Sequence, residues 1–98
     1  MNQIKGIAFD DAIAQLEKEY EYNVSDLMIK YWENEELRSL GESMLYTPNS
    51  SNIRDIIFEA KKLVDMHSKA SVEVLLPNSD CDEVLYFYDG ITEEIMPE

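Results

Sequence analysis

Residues 71–95, SVEVLLPNSDCDEVLYFYDGITEEI, decide the fold, because the apolar spacing here drops from a helical repeat to the strict alternation of a strand. Val72, Val74 and Leu76 alternate with Glu73 and Leu75, which predicts a strand over Ser71–Leu76. Glu83–Tyr88 is rich in branched and aromatic residues and predicts a second strand. Asp89-Gly90 is a two-residue hairpin signal, and Ile91–Ile95 supplies a third. With residues 78–82 as the first loop, Leu76 faces Val84, Val74 faces Tyr86 and Val72 faces Tyr88. Across the second turn Tyr88 faces Ile91 and Val84 faces Ile95. One face then carries these apolar residues plus Glu93 and is assigned to the core. The other carries Glu73, Leu75, Leu85, Phe87, Thr92 and Glu94. Three large apolar side chains beside two acids, on a face the core does not need, call for a partner.

Upstream, the repeat is helical. Phe9, Ile13, Leu16 and Tyr20 are spaced at four, three and four, with Asp10 and Asp11 at the favourable end of the helix dipole. Ser25 is the expected N-cap of a second helical segment. There the stripe Leu27, Met28, Tyr31, Trp32 and the stripe Leu37, Leu40, Met44 point in nearly opposite directions at about 100° per residue. A bend at Glu33–Glu36 is expected, since four polar residues in a row offer nothing to pack. Ile53, Ile56, Ile57, Ala60, Leu63 and Val64 mark the third helix, with Asn52 as its N-cap and Asp55 in a capping-box position. The expected architecture is α+β: three or four N-terminal helices followed by a three-stranded antiparallel β-meander, in a single domain over residues 1–98.

Composition restricts function. The 98 residues are 45% apolar and 30% charged, with ten aromatics, as in an ordinary globular domain. The opening MNQIKGIAFDD lacks the apolar core of a secretory signal, and no run approaches the roughly 20 residues of a membrane helix. Cys81 is the single cysteine, which fits a reducing compartment and a cytoplasmic location. The net charge of −13 is unevenly spread. Residues 1–50 hold ten acids and four bases, residues 51–70 three and four, and residues 71–98 eight acids and no base. Such a chain is not expected to bind nucleic acid or an anionic membrane, because phosphate contacts need clustered Lys and Arg.

Parts for catalysis are missing. His67 is the only histidine and falls at the end of the third helix without a specified partner, so a helix-end histidine is the simpler reading. Cys81 lies between Asp80 and Asp82, which blunts a thiolate nucleophile. Asn78, Asp80, Asp82 and Asp89 match some ligand positions of a calcium loop, but Glu83 stands where the glycine is required, and an acidic hairpin turn explains them better. No enzyme, metal or cofactor is expected.

What remains is acids interleaved with aromatics: Glu17-Lys18-Glu19-Tyr20-Glu21-Tyr22, Tyr31-Trp32-Glu33-Asn34-Glu35-Glu36, and the run from Asp80 to Asp89. In the first run the aromatics are expected in the core and the acids on a solvated face. In the last run the expected reading is a binding surface of Glu73, Leu75, Asp80, Asp82, Glu83, Leu85, Phe87, Thr92 and Glu94. An apolar centre rimmed by carboxylates suits a basic protein.

In size, acidity, its free cysteine and the runs at 19–22 and 80–89, the chain resembles small bacterial immunity proteins of colicin and contact-dependent growth-inhibition systems. The resemblance implies a cytoplasmic inhibitor that covers the active site or substrate groove of a basic toxin, a nuclease in the first instance. The free chain is expected to be a monomer. Two other readings stand beside it. One is a phage-type nucleic-acid mimic of the anti-CRISPR or antirestriction kind. The other is an acidic adaptor that dimerises through the outer sheet face.

Overall fold

Alternation of aromatic and branched residues begins earlier in the chain than the C-terminal stretch. The computed structural model describes residues 7–67 and 69–95. It contains helix α1 (Ile7–Glu19), a short 3-10 turn (Val24–Asp26), strand β1 (Met28–Trp32), helix α2 (Glu35–Leu40), strand β2 (Met44–Tyr46), helix α3 (Ile53–Asp65), and strands β3 (Ser71–Leu76), β4 (Glu83–Tyr88) and β5 (Glu93–Ile95). The strands form one antiparallel sheet in the order β2-β1-β3-β4-β5.

This sheet corrects the expected architecture. Three helices and five strands replace three or four N-terminal helices and a three-stranded meander. The segment from Leu27 to Met44, read as helical, forms two strands around a short helix. The misreading has a geometric cause. A spacing of four returns a side chain to the same face on a helix and, being even, also on a strand. Leu27 with Tyr31, and Met28 with Trp32, therefore satisfy both periods. The preference of Ile29, Tyr31 and Trp32 for a pleated surface decides for the strand. Ser25 lies within the 3-10 turn rather than capping a helix. The polar run after Trp32 is not a bend within a helix: Glu33 and Asn34 separate β1 from α2, and Glu35 and Glu36 open α2. Asn34 caps α2, its side chain accepting from the Leu37 amide, and Gly41 ends the helix at φ +74, a left-handed conformation suited to glycine.

The core lies between the sheet and the two longer helices. α1 contributes Ile13, Leu16 and Tyr20, and α3 contributes Ile53, Ile56, Ile57, Ala60 and Val64. α3 begins as its sequence indicates, with the Asn52 side chain accepting from the Asp55 amide. From the sheet come Ile29, Tyr31, Val72, Val74, Tyr86 and Ile95. Glu93 also points to the helix side. It accepts a hydrogen bond from the Tyr86 hydroxyl at 2.7 Å and pairs with Lys61 of α3 at 3.1 Å. Burial first, and then the bond to Glu93, push the Tyr86 phenol well above its ordinary range.

Two features of register reshape the C-terminal strands. β3 and β4 pair as expected at Val72–Tyr88 and Val74–Tyr86, then shift at a bulge so that Leu75 faces Val84 and Leu76 faces Glu83. The bulge turns the extra residue, Leu85, into the core. The β4–β5 connection spans Asp89–Thr92 rather than two residues, and Tyr88 pairs with Glu93 and Tyr86 with Ile95. Because the slip is two residues, β5 keeps the faces its sequence predicts.

Candidate partner-binding surface

The outer face of the sheet is built on one cross-strand row. Lys30 of β1 faces Glu73 of β3, Glu73 faces Phe87 of β4, and Phe87 faces Glu94 of β5. Trp32 lies two residues along from Lys30 and Leu75 two along from Glu73, which puts both on the same side. Helix α2 covers part of this face through one side chain. The Arg38 guanidinium carbon sits 4.6 Å from the centroid of the Phe87 ring and 5.6 Å from that of Trp32.

The face is therefore closed where an open apolar centre was expected. Leu85 is in the core because of the bulge, Leu75 is buried, and Phe87 is only 7% exposed. Thr92 lies outside the strands, in the turn, where its amide donates to Asp89 Oδ1. Glu94 is buried at the edge of the row, and Glu73 is half-buried at its centre. Desolvation raises the Glu73 carboxyl above its ordinary range, and Asp82 adds to the rise against the opposing pull of Lys30 and Arg38.

Of the nine expected contact residues, Asp80, Asp82 and Glu83 are the exposed ones. They lie at the tip of the β3–β4 hairpin, and the structure brings a second acidic segment to them. The Tyr20 hydroxyl, at the end of α1, donates to the Glu83 carboxylate. The bulge makes this contact available, since it turns Glu83 to the helix side. Met28 pairs with Leu75, so the turn leading into β1 reaches the same end of the molecule. Glu19, Glu21 and Asp26 thus join Asp80, Asp82 and Glu83 in one acidic pole. Lys30, 3.8 Å from Asp82, is the cation paired there among the described residues. Tyr20 and Glu83 are 63 residues apart in the chain, so no local pattern could reveal the cluster.

The pole also holds an aromatic that sequence reasoning assigned to the core. Tyr20 is buried, but Tyr22 is 89% exposed. The signal was present in the helical phase. Ile13, Leu16 and Tyr20 continue one stripe, and a residue two positions on points away from it. Acids at this place work against the fold, because Glu17 and Glu19 fall in the last turn of α1, at the negative end of its dipole.

His67 is exposed just beyond α3, with its ring 6.3 Å from that of Tyr31. Cys81 is exposed at the hairpin tip. Among the described residues, no cluster of three or more His, Cys, Asp or Glu is arranged to hold a metal ion. No described helix is long and apolar enough to cross a membrane. No family model, curated protein or solved structure matches the chain.

Proposed function

We propose that the protein is an inhibitor of the immunity type, which binds a basic toxin, first of all a nuclease domain, and covers its active site or substrate groove in the cytoplasm. The observation that carries this reading is the acidic pole. The Tyr20–Glu83 contact brings the acidic segments 19–26 and 80–83 to one end of the molecule, with Tyr22 exposed beside Tyr20 and Glu19 in the last turn of α1, where negative charge costs stability. Lys18 in the last turn of α1 and Lys30 beside Asp82 offset only part of this charge, and the acids left over mark a place kept for binding. Carboxylates steer a cationic protein and pair with its Lys and Arg, while an exposed tyrosine supplies a rigid contact.

The outer sheet face contributes less than its sequence suggests. Glu73 lies at its centre and Glu94 at its edge, but its apolar residues are already packed, so the interface centres on the pole.

The test is association kinetics with a basic nuclease toxin domain encoded beside the gene. The rate is expected to fall by about an order of magnitude or more from low to physiological salt, and to fall likewise on Asp80→Lys with Asp82→Lys. A rate indifferent to both changes refutes the reading.

A further inference from the structure

We infer that the chain self-associates through strand β2, two copies joining their sheets edge to edge about a two-fold axis at Leu45. This rests on observations separate from the acidic pole.

The two edges of the sheet are unlike. β5 carries Glu93 and Glu94, charges of the kind that keep an edge from recruiting another strand. β2 carries Met44, Leu45 and Tyr46, which are 44%, 58% and 39% exposed. Leu40, just before it, is 66% exposed. From Ser43 to Ile53 the chain has no charged residue, although 30% of its residues are charged. β2 is thus an outer strand without charge, and among the described residues its outward backbone groups have no strand beside them.

Charge selects the occupant. A basic partner is drawn to carboxylates, and residues 43–53 offer none. A second copy meets no penalty on this edge and matches it in register. Antiparallel pairing centred on Leu45 sets Leu45 against Leu45, Met44 against Tyr46, Ser43 against Thr47, and Glu42 against Pro48. No acid faces an acid, and Pro48, lacking an amide hydrogen, ends the ladder. The same two-fold axis reverses strand direction between the copies. The two acidic poles, each at the β1-start end of its own sheet, then point to opposite ends of a ten-stranded sheet. Net charge alone predicts a monomer, but its distribution does not oppose this contact. A ladder this short buries little area, so the association is weak and concentration-dependent.

The experiment is sedimentation velocity on the full chain, from micromolar to near-millimolar concentration, at low salt and in half-molar sodium chloride. The mass is expected to rise from 11.4 kDa toward twice that value with concentration. Added salt is expected to promote the rise, because it screens repulsion between two anions. Partner binding has the opposite salt dependence, so either proposal can fail alone. Leu45→Glu places two acids on the axis and is expected to weaken association by about tenfold or more. Ile91→Glu, at an 87% exposed residue remote from β2, is expected to leave it unchanged. If Leu45→Glu fails to fold, backbone amide shifts of the unmodified protein on dilution decide the question. Shifts centred on residues 43–47 support the edge, and shifts centred elsewhere overturn it. A mass fixed at the monomer value throughout also overturns it.

Discussion

Arg38 lies over the face of Phe87, its guanidinium carbon 4.6 Å from the ring centroid, and so closes the outer side of the sheet with a single side chain. The contact joins a charged residue of α2 to an aromatic of β4, and its worth is on the order of 0.5–2 kcal/mol depending on how dry it is. It explains why a phenylalanine on the face away from the helices is nonetheless only 7% exposed.

Phe87→Ala is accordingly a stability mutation. Truncating a buried phenylalanine costs about 3 kcal/mol or more, and the same loss is expected here by urea unfolding. Affinity for a basic partner, measured on the protein that remains folded, should change little. A stable variant with weakened binding would return Phe87 to the interface.

Asn34 controls the element that carries Arg38. α2 is six residues long and buries none of them, so the cap supplies a large share of its stability. Asn34→Ala removes an N-cap bond worth about 1 kcal/mol. The loss is expected as local opening of α2, with global unfolding nearly unchanged. Trp32 is the only tryptophan and is 8% exposed beside Arg38, so its emission should shift to the red. Its buried indole N–H finds no acceptor among the described residues, and water reaching it adds to that shift. Unchanged fluorescence would show that α2 stays in place without its cap.

Glu73 gives a pH dependence with a definite sign. Desolvation raises its folded pKa, so the folded protein binds its proton more tightly than the unfolded chain does. Stability from this group is therefore lost as pH rises from the unfolded value through the raised folded one, and regained as pH falls. Glu73→Gln, which imitates the protonated form, is expected to raise the melting temperature at neutral pH. The gain should vanish below the ordinary carboxyl range. Asp80→Asn removes the same charge from an exposed site and serves as the control, since relief of net repulsion alone would act at both. Equal gains from the two would show that burial of Glu73 is without consequence.

How far the sequence reveals these features depends on the range over which each is determined. α3 is legible because its cap and stripe lie within fourteen residues, from Asn52 to Asp65. β3 and β4 are legible for the same local reason, down to the Val72–Tyr88 and Val74–Tyr86 pairs. β1 is hidden because i, i+4 spacing fits both periods, and only its place beside β3 settles the matter; β2, three residues long, carries no period of its own and is set by pairing with β1. The bulge that buries Leu85 leaves no mark in the alternation of Glu83–Tyr88, since it depends on β3 and the helices beneath. The surface follows the same rule. Asp80, Asp82 and Glu83 are evident as a local run, whereas their placement at the same end of the molecule as residues 19–22 depends on the Tyr20–Glu83 contact across the fold.

The acidic pole couples stability and binding in opposite directions, and Glu19 tests that coupling. It occupies the last turn of α1, where a cation interacts favourably with the helix dipole and an anion does not. Replacing it with lysine also brings the net charge of −13 two units nearer to zero. Glu19→Lys should therefore stabilise the protein, by about 0.3–1 kcal/mol at low salt and by less as salt screens the dipole. In the same variant, association with a basic toxin domain should slow, because one steering charge at the pole is reversed. Tyr22→Ala, at an exposed position, should leave stability nearly unchanged and speed dissociation, since the loss is of a contact rather than of steering. The pair separates the two roles: Glu19 acts on encounter and on the fold, Tyr22 on residence time alone. If Glu19→Lys destabilises the protein, the acids at this helix end are structural, and the pole loses its standing as the binding surface.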